Sequence, residues 1–273
     1  MNILYCGDSH MKPGLLISIL SLLKETHEPL AIYILTAAMQ SDTRQFEPLT
    51  VKTVAELDAI VKQANPASCV TRIDVTALVA AEPLTANRNT IFTPCCMLRL
   101  YADQVAQLPD KLLYLDTDVI CRLNCQPFYH QDIREIELAG VLDHYGRWFF
   151  HQSWRHFDYM NSGMLLLNLK VIRRTGLFAR CRELCRTEEM FMPDQSAINR
   201  LVTRKRLLPR RYNEQRRLKA NTVFQHFTTS FRLFPWLHTL TVKPWQVEDV
   251  HRKLKLHEYD DILTDYQKLI VTL

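Results

Sequence analysis

The chain reads as one α/β domain, an open and mostly parallel sheet flanked by helices, with a helical C-terminal cap. Three observations carry this. Strand-length apolar runs alternate with amphipathic helical stretches through the N-terminal third, the rhythm of parallel strands joined by right-handed crossovers. The apolar run Leu112 to Leu115 suits a strand buried on both faces, and Asp116 and Asp118 follow it directly. Finally, 273 residues, 47% apolar and 23% charged, suffice for a full core without repeats or a low-complexity linker.

Taken in order, Asn2 to Cys6 is the first strand, and Gly7 permits a tight turn after it. Pro13 opens a helix whose stripe is Leu16, Ile19, Leu20 and Leu23. Leu30 to Thr36 is the second strand. Ser41 or Asp42 is placed to cap a helix carried through Thr53 to Gln63, and Val70 to Val75 is the third strand. Thr93 to Gln104 reads as a helix with Leu98 and Tyr101 inward. Arg99 on that helix needs an anionic partner if it is buried. After the Asp116–Asp118 strand, Glu137 to Leu142 forms another, ending in Asp143. Asn161-Ser162-Gly163 is expected as a turn feeding a buried strand, Met164 to Leu167. Val171 to Arg186 is amphipathic and helical, and Pro193 begins another helix with Asp194 near its positive end. The aromatic segment Phe231 to Leu237 precedes two short helices, Trp245 to Leu256 and Glu258 to Leu269. The boundaries are therefore 1–223 for the main unit and 224–273 for the cap.

Composition excludes several classes. With six glycines there is neither a dinucleotide-binding nor a P-loop fingerprint. The eight cysteines lack metal spacing and, with no secretory signal, read as reduced cytosolic thiols. The net charge of +5 is concentrated: Arg204, Lys205, Arg206, Arg210, Arg211, Arg216, Arg217 and Lys219 are opposed only by Glu214. Such a cluster attracts phosphate, an anionic acceptor or an anionic membrane surface. No nucleic-acid signature accompanies it, so nucleic acid is not expected as a partner.

Two carboxylates one residue apart at a strand's carboxyl end suit a divalent cation that carries phosphates. The surrounding motifs resemble glycosyltransferase family 8, the retaining GT-A enzymes. The likeness rests on Asn2-Ile-Leu-Tyr-Cys-Gly-Asp8, Leu98-Arg-Leu-Tyr101, Leu113-Tyr-Leu-Asp-Thr-Asp118, Tyr159-Met-Asn-Ser-Gly-Met-Leu-Leu-Leu-Asn168, Asp194-Gln195, and His226 followed by Pro-Trp. It implies a Rossmann-like GT-A fold and a hexosyltransferase moving glucose or galactose from a UDP-sugar to a bacterial surface glycan, such as lipopolysaccharide.

By that resemblance Asp116, Asp118 and His226 bind Mn²⁺, with Mg²⁺ as the substitute. Cys6, Asp8, His10 and Thr117 lie on the nucleotide side. Arg99, Asp143, Asn161, Asp194 and Gln195 line the sugar pocket, with Gln195 and Asp194 the catalytic candidates. The family's His-x-x-Gly-x-x-Lys-Pro-Trp is altered here: Thr229 and Arg232 occupy the glycine and lysine positions, and Lys243-Pro-Trp245 comes later. Either Arg232 or Lys243 is left to meet the diphosphate. The expected location is the cytoplasm, peripheral on the inner membrane face, acting on a glycan or lipid-linked glycan. The rival readings are a non-catalytic nucleotide-sugar-binding protein and a metal-dependent nucleotidyltransferase.

Overall fold

A computed structural model describes residues 1–89, 94–146, 158–232 and 238–273, with the backbone alone for Phe231, Arg232 and His238. In chain order the strands are β1 (Asn2–Cys6), β2 (Ala31–Thr36), β3 (Met39–Gln40), β4 (Gln45–Phe46), β5 (Cys69–Asp74), β6 (Lys111–Leu115) and β7 (Val119–Cys121). Then come β8 (Leu138–Leu142), β9 (Met160–Asn168), β10 (Lys205–Leu208), β11 (Phe224–His226), β12 (Ser230–Arg232) and β13 (His238–Leu240). Seven of them form the central sheet in the order β10-β8-β9-β6-β1-β2-β5. All neighbours pair in parallel except β9, which runs antiparallel between β6 and β8.

Alternation along each strand divides the core in two. Ile3, Tyr5, Ile32, Ile34, Leu113 and Leu115 face the helix Lys12–Glu25 and the C-terminal helices. Leu4, Leu35, Leu112 and Tyr114 face the segment Pro94–Gln104 and the helix Leu177–Thr187. Burial on both faces is why these strands read as continuous apolar runs. The chain reverses winding direction between β1 and β6: β2 lies on one side of β1 and β6 on the other. A crevice opens at such a switch point, outside the strands' carboxyl ends. There stand Cys6 and Asp8 from β1 and Asp116 and Asp118 from β6.

Several elements differ from expectation. The helix expected to start near Ser41 or Asp42 begins at Val51, and Thr50 caps it, its hydroxyl accepting from Thr53 N at 3.1 Å. Residues before it form the β3–β4 hairpin, and Pro48 cannot sit inside a helix without removing a donor and clashing with the preceding turn. Pro94–Gln104 is a 3₁₀ rather than an α-helix, with Leu98 and Tyr101 buried as expected. Thr93 lies outside the described residues. Asn161–Gly163 are not a turn but part of β9, lying where its pairing is interrupted by a register irregularity between Gly140 and Leu142 of β8. The stretch Val171 to Arg186 is two helices, Leu169–Thr175 and Leu177–Thr187, broken at Gly176 in the left-handed region (φ 66°). The stripe of the first helix is wider than four residues. Leu15, Ile17 and Leu22 are buried too, while Leu20 and Leu23 sit at the core's margin.

The C-terminal segment closes over the crevice. β11 pairs antiparallel with β7, placing His226 opposite Val119. The helices Val247–Leu254 and Asp260–Leu269 follow, the latter packing near the helix Lys12–Glu25 through Ile262, Leu263 and Tyr266. Tyr259 is buried and its hydroxyl donates to Gln225 Oε1 at 2.7 Å. Gly14 locks three segments together. A Cβ there would meet Thr117 O at 2.6 Å and Trp245 Cζ3 at 2.6 Å.

Candidate active site

The β6–β7 turn and β11 bring Asp116, Asp118 and His226 together, their ligating atoms all within 4.8 Å of one another. His226 Nε2 lies 3.1 Å from Asp118 Oδ1 and 3.9 Å from Asp116 Oδ2. Burial pushes the Asp118 carboxyl up, but Lys243 and His226 beside it outweigh that and hold it well below the usual carboxylate range. Gly163 on β9 keeps the space open. A Cβ on it would collide with His226 Cε1 and come within 2.7 Å of Asp116 Oδ2.

A chain of side-chain amides fixes which nitrogen of His226 faces the carboxylates. Asp143 Oδ2 can only accept, so it takes the Asn161 Nδ2 proton at 2.8 Å. Asn161 Oδ1 is thereby turned to accept from Gly163 N at 3.0 Å and Asn213 Nδ2 at 2.9 Å. Asn213 Oδ1 then faces His226 Nδ1 at 3.2 Å and must receive its proton. With Nδ1 directed to Asn213, Nε2 is the ring nitrogen turned toward Asp118 Oδ1, 3.1 Å away, and is the one placed to ligate a cation held with the two carboxylates. Two carboxylates and an imidazole lone pair are a fitting donor set for Mn²⁺ or Mg²⁺, nitrogen favouring the softer Mn²⁺.

The second half of the site is a buried polar lattice beside the triad. Arg99 is 1% exposed. Its guanidinium donates to Asp116 Oδ1 at 2.9 Å and to the Ser162 carbonyl, and its Nε lies 3.3 Å from Asp194 Oδ2. It also stacks over the Tyr114 ring, 3.9 Å from the centroid. Burial disfavours its charge, yet Tyr114, Asp194 and Asp116 more than compensate, so the guanidinium stays charged. Gln195 Oε1 accepts from Ser162 N at 2.8 Å, and Ser162 Oγ donates to Asp194 Oδ2 at 3.1 Å. Asp143 Oδ1 accepts from Tyr145 N at 3.0 Å and from Gly146 N. The anionic partner that Arg99 required is thus a pair, Asp116 and Asp194, linking the Asp116–Asp118–His226 cluster to the Ser162–Gln195 lattice.

Among the residues expected to meet a nucleotide, Cys6 ends β1 with its thiol pKa pushed up by burial, among Arg99, Asp116 and Asp194. Asp8 is buried, and its oxygens accept from His10 N at 3.2 Å and meet His10 Nδ1 at 2.9 Å. The His10 side chain itself is exposed. Thr117 lies between the two aspartates with its carbonyl against Gly14. Lys243 Nζ pairs with Asp118 Oδ2 and donates to Phe227 O at 3.1 Å. Burial opposes its charge, but Asp118 and then Asp116 raise its pKa overall. Of the two residues left to meet the diphosphate, Lys243 stands beside the aspartates. Arg232 is in β12, and its side chain lies outside the described residues. The aromatic residues 233–237 likewise lie outside them.

Four residues at this site were given no role of their own by the sequence. Ser162 and Gly163 stood inside the Tyr159–Asn168 motif as turn formers, Tyr114 stood inside the Leu113–Asp118 motif as part of the apolar run, and Asn213 sits unremarked inside the basic cluster. The one available cue was position: Asn213 and Gly163 flank residues already singled out.

Comparison with known proteins places this arrangement. A lipopolysaccharide 1,3-galactosyltransferase of Salmonella typhimurium strain LT2 is 24% identical over 260 residues, covering 86% of this chain and 72% of that protein. The glycosyltransferase GlyA of Streptococcus pneumoniae serotype 4 is 26% identical over 129 residues, where the match spans 18% of its length. Among solved structures, the galactosyltransferase LgtC in complex with donor and acceptor sugar analogues superposes with a TM-score of 0.66 at 18% identity, covering 97% of this chain and 96% of that one. An active-site mutant of LgtC gives 0.70 at 18% identity over 98% of this chain and 95% of that one. The expected α/β architecture is therefore the GT-A fold. Glycosyl transferase family 8, as a family model, matches residues 2–248, nearly the whole of the sheet and its crevice, and the chain belongs to that family of glycosyltransferases.

Proposed function

We propose that this glycosyltransferase moves glucose or galactose from a UDP-sugar to a glycan acceptor, a bacterial lipopolysaccharide, exopolysaccharide or other surface glycan, with retention at the anomeric carbon and with Mn²⁺. The carrying observation is the convergence of Asp116, Asp118 and His226 Nε2 within 4.8 Å of one another beside a buried lattice of carboxylate, amide and guanidinium groups. When bound, the divalent cation neutralises charge on the departing UDP. Asp116, Asp118 and His226 hold it, Lys243 supplies a further positive charge, and Asp8 receives the ribose or base.

Asp143, Asn161, Asp194 and Arg99 orient the hexose hydroxyls. An amide is a poor nucleophile, so the Gln195 carbonyl dipole, held by Ser162 N, stabilises positive charge developing on the sugar. Asp194 is tied to Arg99 and Ser162, which leaves it ill placed for covalent attack. That supports front-face transfer, the leaving phosphate taking the acceptor's proton. The site of action is the cytoplasmic face of the membrane. Among the described residues no helix is long and apolar enough to cross a bilayer.

The test is product formation from UDP-glucose and UDP-galactose, with and without Mn²⁺, read by UDP release and by NMR of the new anomeric linkage. Transfer with retained configuration is expected from one donor. Asp116→Ala and Asp118→Ala should each abolish it while thermal unfolding remains cooperative. Undiminished Mn²⁺-dependent turnover in either variant would overturn the assignment.

A further inference from the structure

A cleft of about 1260 Å³ opens beside the Asp116–Asp118–His226 cluster. His226 forms part of its wall, and His144 and Tyr145, directly after Asp143, form another part. It therefore communicates with both halves of the site. Its floor is apolar, with Leu218, Leu240, Val242 and Leu256, and its rim carries Arg210, Arg216, Arg217 and Lys219.

Among the described residues these cations have no carboxylate to neutralise them. No carboxylate of the described residues lies within 4.0 Å of the charged nitrogens of Arg210, Arg216, Arg217 or Lys219, although Lys205 in the same basic cluster pairs with Asp158. Arg210 meets only an imidazole, His144 Nδ1, at 2.8 Å. Glu214 is the single carboxylate lining the cleft. It is buried, one oxygen accepts from the Arg216 backbone N at 3.1 Å, and the other has no hydrogen-bond partner among the described residues. Arg216, Arg217 and Lys219 are exposed at the mouth, with side chains free to converge on a multivalent anion.

We propose, building on the glycosyl-transfer reading above, that this cleft is the acceptor site and that Arg216, Arg217 and Lys219 make it selective for a phosphorylated glycan. The anion is not the donor's diphosphate, since Lys243 stands at the Asp116–Asp118 side for that charge. Nor does the geometry favour a bilayer. A headgroup plane is flat, whereas these cations rim a concavity with an apolar floor suited to one face of a sugar ring. A phosphate on the acceptor would draw the glycan in and set its free hydroxyl toward Asp143 and the metal triad.

The experiment titrates glucose 6-phosphate and glucose separately into the full chain, first saturated with UDP and Mn²⁺, by calorimetry. The phosphorylated sugar should bind about tenfold tighter or more. In the variant Arg216→Gln/Arg217→Gln/Lys219→Gln that preference should vanish while UDP affinity is unchanged. Equal affinities for the two sugars, or a preference that survives in the variant, would overturn the proposal. So would a variant that loses only its binding to phosphatidylglycerol-containing vesicles, which would make the cluster a membrane contact. If UDP and Mn²⁺ fail to bind in the first step, the donor reading itself falls and takes this proposal with it.

Discussion

At the scale of single residues, the site depends on groups that never touch substrate. Asn213 holds the His226 ring through Nδ1 and is itself oriented by Asn161. Asn213→Ala removes that hold and leaves Nδ1 free to lose its proton in place of Nε2. We expect Mn²⁺ affinity, measured by calorimetry, to fall about 10- to 100-fold. Gly163→Ala forces a methyl group into His226 Cε1 and Asp116 Oδ2. Both ligands must move, so Mn²⁺ binding should be lost, with overpacking costing about 1–3 kcal/mol in a urea melt. Normal Mn²⁺ binding by the Gly163→Ala variant would show that the two ligands have slack. Asp116, Asp118 and His226 were legible as a candidate metal set through the family resemblance, and the fold brings their ligating atoms within 4.8 Å of one another. Asn213 and Gly163 were not, because an amide and a missing methyl acquire meaning only when the chain brings them near the imidazole.

At the scale of elements, the strands were the clearest part of the sequence, and physics explains why. β1, β2 and β6 are short apolar runs punctuated by polar turns, as burial on both faces requires, while the edge strand β5 buries Val70 and Ile73 and leaves Thr71 and Asp74 exposed. Helix boundaries were harder. The hydrophobic period of Val171 to Arg186 continues through Gly176, so the break there is invisible to periodicity. It is fixed by one backbone angle, φ 66°. Because no atom lies within 4 Å of a Cβ placed at Gly176, replacing it isolates that angle. Gly176→Ala should lower stability by about 1–2 kcal/mol in denaturant melts without affecting Mn²⁺ binding. A stability equal to wild type would mean the two helices can merge. The Thr50 cap was missed for a related reason: Ser41 and Asp42 are equally good capping residues, and only Pro48 between them and the helix rules them out.

At the scale of the whole molecule, the crevice is assembled from distant parts of the chain. β1 supplies Asp8, β6 and the turn after it the aspartates, β9 the Asn161–Gly163 run, and β11 the imidazole. A ligand that binds only this assembled state stabilises the entire fold. UDP-hexose with Mn²⁺ should therefore raise the melting temperature, by about 2.7 kcal/mol of added stability at a hundredfold over its dissociation constant. Neither component alone should match that. A shift with UDP-hexose that ignores Mn²⁺ would separate nucleotide binding from the triad.

The pairing of β11 with β7 also has a consequence for biosynthesis. Six of the seven sheet strands, and both aspartates, precede residue 205 in the order of translation. His226 and Lys243 leave the ribosome after them, and until they do the metal triad has only two of its three members. If the triad holds a cation as proposed, the nascent sheet forms without its help, and metal capture is a late event that marks a chain whose tail has docked.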